Sequence, residues 1–116
     1  MRVLVTDWNL SYARKVARLL KDLVPNLAVD TATNSFEVER RLETHKYDLI
    51  LVDYDVSMDP DHMKAVLNTT NTPKISWREQ GRLDADERSG PFKPLLLEDL
   101  TNTLTKEVLP ALHTHV

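Results

Sequence analysis

Apolar positions along this chain alternate between two spacings. Residues 2–7 (RVLVTD) form a short β-branched run that stops at an acid, the pattern of a strand buried on both faces. Behind it Ala13, Val16, Ala17, Leu20 and Leu23 recur every three or four residues. They predict an amphipathic helix that opens on an Asn9 or Ser11 cap and ends before Pro25. Leu27, Val29 and Thr31 alternate and predict a second strand. Asn34, with Glu37 three residues on, makes a capping arrangement for a short helix whose Val38 and Leu42 face the core. The run from Tyr47 to Asp53 (YDLILVD) is the clearest buried strand, and it too ends in an acid. Pro60 suits the first turn of a helix over about Asp61 to Asn68, with Met63, Ala65, Val66 and Leu67 as its apolar contributors. Lys74 to Trp77 reads as a fourth strand, and Pro91 to Pro94 as a strand end or turn. Leu97, Leu100, Leu104 and Val108 mark a last helix, closed by Pro110. Between them Glu79 to Gly90 is almost wholly polar. Its one large apolar residue, Leu83, cannot anchor a helix, so a loop or a single frayed turn is expected.

The order β-α-β-α-β-α-β-loop-β-α implies parallel strands joined by right-handed crossovers, with helices on both faces of one sheet. No repeat or linker interrupts it, so residues 1–116 are expected to form a single domain. In such sheets ligands sit beyond the carboxyl ends of the strands, which brings Asp7 and Asp53 to one crevice. Trp77 and Phe92 are expected to pack at the far edge, and Pro91 is tolerable only if its strand, the fifth, is an edge.

Composition narrows the chemistry more than the architecture. With no cysteine, disulfides, zinc–thiolate sites and thiol catalysis are excluded. Gly81 and Gly90 are the only glycines, too few for a glycine-rich phosphate cradle, which makes a flavin or nucleotide module the weakest reading. A net charge of −3 gives no basic footprint for nucleic acid. Arg14, Lys15, Arg18 and Lys21 read as the wet face of an ordinary helix. The N-terminal apolar run is too short for a signal peptide, and the longest apolar stretches are strand-sized; a cytoplasmic, membrane-free protein is expected. Asp53, Asp55, Ser57, Asp59 and Asp61 superficially suggest a calcium loop, but Met58 and Lys64 stand where it needs Gly and Glu. His113 and His115 look like a surface tail, and His45 and His62 look unremarkable.

Carboxylates meeting at a strand-end crevice repel one another unless a cation or a proton intervenes. A hard divalent cation such as Mg²⁺ is the usual answer. A carboxylate can also act as a nucleophile toward a phosphoryl group while a lysine neutralises charge. Asp7, Asp53 and Lys93 supply these residue types at the ends of three strands. The plainer alternative is that strand-ending acids only cap loops.

VLVTD at 3–7, TATNSFEVERRL at 31–42, YDLILVDYDVSMD at 47–59 and FKPLLLEDL at 92–100 together resemble response-regulator receiver domains, in the right order from Arg2 to about Val108. The resemblance implies a three-layer, flavodoxin-like, doubly wound five-stranded parallel sheet of order 2-1-3-4-5. It makes Asp53 the phosphoryl acceptor, fed by a histidine kinase or phosphotransfer protein. Asp7 and Asp53, with the Asp55 backbone carbonyl, become the Mg²⁺ ligands. Lys93 becomes the phosphoryl contact, followed by a cis Pro94.

Three positions depart from that pattern. Trp8 stands where the family has a second acid, which weakens any Mg²⁺ site. Arg78 falls where a Thr or Ser is expected, unless a two-residue shift of register brings in Ser76. Arg78 either pairs with Asp53 or Asp7 or points to solvent. Gly90 replaces the aromatic switch residue, and the short stretch before it predicts a reduced or missing fourth helix. Asp59 is available either as a replacement ligand or as a helix cap. Two functions compete: an atypical receiver acting as a protein-interaction module with impaired switching at Asp53, and a phosphorylatable receiver using Asp53 and Mg²⁺. Neither is an enzyme beyond its own phosphorylation and dephosphorylation. Leu95 and Leu96 are expected either to form an apolar patch with Trp77, for a partner or a homodimer on the strand 4, strand 5 and last-helix face, or to pack onto the shortened loop.

Overall fold

The computed structural model describes residues 1–53, 60–77 and 90–113; the expectations for Asp55, Asp59, Arg78, His115 and the reduced fourth helix lie outside the described residues. Strands β1 (Arg2–Thr6), β2 (Ala28–Ala32), β3 (Leu49–Val52) and β4 (Lys74–Ser76) form a parallel sheet of order β2-β1-β3-β4. Helices α1 (Leu10–Leu23), α2 (Ser35–Thr44) and α3 (Pro60–Leu67) are its crossovers. The chain then runs through α4 (Leu97–Thr103), a π-helical stretch Leu104–Val108 and α5 (Leu109–His113).

The sheet separates two cores. On one face Val3, Val5, Leu49, Leu51 and Trp77 meet Ala13, Val16 and Leu20 of α1, with Leu100, Leu104, Val108 and Leu112 of the C-terminal helical run. On the other, Leu4, Ile50 and Val52 meet Val38 of α2 and Met63, Val66 and Leu67 of α3. The period-2 alternation of side chains along β1 and β3 sends neighbouring residues to opposite cores, which is why both strands are apolar throughout.

Local chemistry fixes the helix ends. Asn9 caps α1 by accepting from the Tyr12 N–H at 3.1 Å. Asn34 Oδ1 accepts from the Glu37 N–H at 2.9 Å while Glu37 Oε1 accepts from Asn34 Nδ2 at 3.1 Å, a reciprocal cap. Asn26 takes the left-handed backbone (φ 69) between α1 and β2, a conformation asparagine tolerates better than most side chains.

Four expectations change. Pro110 does not close the last helix, which runs on to His113. A proline cannot donate to, and crowds, the carbonyl four residues back. Here the turn just before it is widened: the Leu109 N–H reaches the Leu104 carbonyl, an i+5 bond, so the ring is accommodated without a break. Trp77 and Phe92 do not pair at an edge, because Trp77 is buried in the core and Phe92 is exposed. The Lys93–Pro94 bond is trans, there being no cis peptide among the described residues. Where a fifth strand is expected, the Gly90 N–H donates to the Ser76 carbonyl at 3.0 Å and Phe92 holds a single bridge position. Pro91 and Pro94 lack the N–H groups that a longer ladder there would use.

Candidate functional site

The registers Val3↔Leu49, Leu4↔Ile50 and Val5↔Leu51 bring the carboxyl ends of β1 and β3 level. Asp7 and Asp53, the first residues beyond those ends, are both fully buried. The Asp7 N–H donates to the Ala32 carbonyl at 3.0 Å, and Asp7 Oδ1 accepts from the Asn9 N–H at 2.9 Å. Thr6 ties the two strand ends together: its Oγ1 donates to the Leu51 carbonyl and accepts from the Asp53 N–H, each at 3.3 Å.

Lys93 closes the triad from the segment beyond Gly90. Its ammonium lies 2.6 Å from Asp53 Oδ2 and 2.7 Å from Asp7 Oδ2, and the side chain is 13% exposed. The approach to Asp53 is a hydrogen bond. The approach to Asp7 is an ion pair at hydrogen-bond distance but less well angled, and Asp7 Oδ2 is buried with this ammonium against it. Burial pushes the Asp7 carboxyl above its ordinary range, and the Lys93 ammonium and the Asn9 N–H only partly pull it back. Burial works against the charge on Lys93, but its contacts with Asp53 and Asp7 outweigh that and hold the ammonium above the usual lysine value. The sequence-predicted acids and lysine therefore meet in one place, as expected.

The altered positions are partly visible. Trp8 is 61% exposed and contributes no acid to this cluster. Ser76 is buried at the end of β4, paired with Val52, one residue short of the level of Asp53. Gly90 is required by packing. A Cβ there would overlap the Ser76 carbonyl oxygen and come within 2.6 Å of Ile75 Cγ2, so no aromatic side chain can occupy this position as the chain is built. Leu95 and Leu96 are exposed, as the patch reading requires, whereas Trp77 is not part of that surface.

Two groups were not singled out by sequence. Tyr12, in the first turn of α1, lies under Lys93, with the ammonium 4.4 Å from its ring centroid, and its hydroxyl donates to the Pro94 carbonyl at 2.6 Å. Burial, then the nearby Asp7 and Asp53 charges, push its phenol well above the usual tyrosine range. His62 on α3 has Nδ1 2.6 Å from Ser35 Oγ, Nε2 3.6 Å from Glu39 Oε2, and its ring stacked on Phe36 at 4.5 Å. Ser35 opens α2 and is buried, so this network joins α2 to α3 and offers no open nucleophile.

No protein-family model matches the chain, and no curated protein matches it. Solved structures do. A two-component response regulator from Clostridium difficile matches with a TM-score of 0.64 at 22% identity, over 90% of this chain and 93% of that one. A chain carrying the yeast Spc42 trimeric coiled coil as a fusion matches with a TM-score of 0.71 at 17% identity, over 97% of this chain and 77% of that one. At these identities the likeness is one of fold: a parallel α/β sheet of order β2-β1-β3-β4 that resembles a receiver domain. No helix among the described residues is long and apolar enough to cross a membrane.

Proposed function

We propose that this chain is an atypical receiver domain that serves phosphorelay signalling as a protein-interaction module, with phosphoryl switching at Asp53 impaired. One observation supports this most directly: both acids are already engaged by the Lys93 ammonium, while Trp8 withholds the second acid of the usual pair. The described donors are two buried carboxylates with a cation seated between them. As arranged they do not fit Mg²⁺, which prefers an octahedron of oxygens with several waters retained. The Asp55 carbonyl, the third ligand of the resemblance, is outside the described residues. Gly90 speaks for the same reading, because the position that would carry an aromatic switch is sealed against β4. In this reading the fifth strand of the receiver fold is reduced to the Gly90–Ser76 bond and the Phe92 bridge.

The second reading, a phosphorylatable receiver using Asp53 and Mg²⁺, is favoured by the retention of Asp53 beside Lys93 with Asp7 at the same rim. In it an Asp53 carboxylate oxygen bonds to phosphorus as the bond to the donor's imidazole nitrogen breaks, and Lys93 offsets charge on the phosphoryl oxygens. Both readings place the protein in the cytoplasm with a histidine kinase or another signalling protein as partner, and give it no catalysis beyond its own modification. Homodimerisation through the β4, Phe92 and last-helix face belongs to the proposal as well, carried by the exposed Leu95 and Leu96.

Amide NMR separates them. Beryllofluoride or acetyl phosphate with millimolar Mg²⁺ leaves the resonances of Asp7, Asp53 and Lys93 unmoved in the interaction-module reading. Shifts at those residues that saturate with Mg²⁺ and vanish in Asp53→Asn establish the phosphorylatable receiver instead.

A further inference from the structure

Tyr12 lies in none of the four motifs that carry the receiver resemblance, yet it makes two contacts with one short segment. Its ring faces the Lys93 ammonium at 4.4 Å to the centroid, and its hydroxyl holds the very next carbonyl, that of Pro94, at 2.6 Å. The first contact gives the ammonium an electron-rich surface in addition to the acids. The second fixes the backbone from which Lys93 projects. Lysine is a flexible tether, four rotatable carbons long, and holding its tip in one place costs side-chain entropy. A tip held by Asp53, Asp7 and an aromatic face, on an anchored backbone, has little freedom left to lose.

The acids meanwhile need a cation. Both are fully buried, and the Lys93 ammonium reaches the two of them at once. Trp8, next to Asp7 in the chain, adds no carboxylate to the pocket. We infer that Tyr12 is a positioning residue that seats Lys93 as the built-in counter-ion of Asp7 and Asp53, so that the pocket is held against divalent cations by an ammonium. The inference rests on Asp7, Asp53 and Lys93 forming one site, and not on whether Asp53 accepts phosphate. It also gives the pocket a route to the surface. Pro94 leads directly into Leu95, Leu96 and Leu97, all exposed, and Tyr12 lines a cavity of about 40 Å³ with Pro94 and these leucines. Displacing the ammonium moves that corner.

The test is an Mg²⁺ titration of the whole chain, followed by amide shifts of Asp7, Trp8 and Asp53, in wild type, Tyr12→Phe, Tyr12→Leu and Lys93→Gln. Lysine-detected NMR of the Lys93 ammonium protons is the second readout. Removing the ring and the hydroxyl together in Tyr12→Leu tightens Mg²⁺ binding on the order of tenfold, the weight of a largely desolvated cation–aromatic contact. It also speeds exchange of the ammonium protons. Tyr12→Phe, which keeps the ring, shows a smaller gain, and Lys93→Gln shows the largest. In each variant that binds, shifts spread to Leu95–Leu97. A merely structural tyrosine would lower stability and leave Mg²⁺ affinity unchanged or weaker. If Tyr12→Leu binds Mg²⁺ no better than wild type while Lys93→Gln does, the seat is refuted and the triad stands. If Lys93→Gln binds no better either, the ammonium is not what fills the pocket and the inference falls whole.

Discussion

Replacing Lys93 with methionine keeps most of its aliphatic length and removes only the charge that Asp7 and Asp53 share. At 2.6 and 2.7 Å, Coulomb's law with an effective dielectric constant of ~20 makes each contact worth about 6 kcal/mol before desolvation. Burying the three charges returns most of that, so the useful figure is what experiment gives for removing one partner from a buried pair, about 3–5 kcal/mol. Domains of this size are stable by only about 5–15 kcal/mol, so Lys93→Met falls close to the threshold of folding at neutral pH. With a urea m-value of ~1.5 kcal/mol per molar, the midpoint drops by about 2–3 M. The pH dependence identifies the cause. Burial raises the Asp7 carboxyl in the folded state, and losing the ammonium raises it further. A carboxyl raised on folding favours the folded state below its unfolded pKa, and that benefit is lost as pH rises through the folded value. The deficit of Lys93→Met is therefore largest at pH 7 and shrinks as pH is lowered toward 4. Paired urea melts of wild type and variant at pH 7 and pH 5, read by far-UV circular dichroism, measure it. Adding Asp53→Asn to Lys93→Met recovers part of the loss, because one of the stranded charges is gone. A deficit under about 1 kcal/mol at pH 7, or one that is the same at both pH values, would refute the view that this ammonium neutralises two buried acids.

Other outcomes follow from single contacts. Gly90→Ala forces a methyl into the Ser76 carbonyl and Ile75, and is expected to cost about 1–3 kcal/mol by overpacking, read as a lowered Tm with no change in net charge. Trp8→Asp alters an exposed side chain, so stability changes by about 0.5 kcal/mol or less, yet Mg²⁺ affinity measured by calorimetry rises by an order of magnitude or more. Asp30 accepts from the Tyr47 hydroxyl at 2.7 Å and Arg2 Nη1 at 2.8 Å; burial raises its carboxyl, but those two bonds outweigh it and hold the group below the ordinary range. Its stabilising contribution is thus present above the unfolded value and lost as pH falls below about 4, and Asp30→Asn should flatten acid unfolding curves in that window. Leu95 is 91% exposed and Leu96 66%, so changing both to lysine leaves the melting curve within about 1 kcal/mol of wild type; light scattering on the same samples shows whether a dimer was lost.

What could be read from the sequence divides by range of contact. Strands and helices whose burial is set by their own periodicity, β1, α1, β3 and the Asn34–Glu37 cap, form where the pattern puts them, since each side chain's environment repeats along its own element. Asp7 and Asp53 could be paired in advance because a parallel sheet must bring successive strand ends to one rim. Tyr12 could not. Its partners are 81 and 82 residues away, its neighbours Leu10 and Ala13 make it look like any half-buried helix residue, and nothing local distinguishes a ring that packs from a ring that seats a cation. Pro110 misleads for the opposite reason, since the local rule is sound but the i+5 turn before it removes the clash on which the rule depends. Gly90 shows how the two ranges combine. Its sequence position only says that an aromatic is missing, while the Ser76 carbonyl packed against it says why none can return without moving the segment that carries Lys93. An aromatic restored at 90 would therefore disturb the acid pocket before it could switch anything, and for that reason the route from Asp53 to the surface is best sought through Lys93, Tyr12 and Pro94.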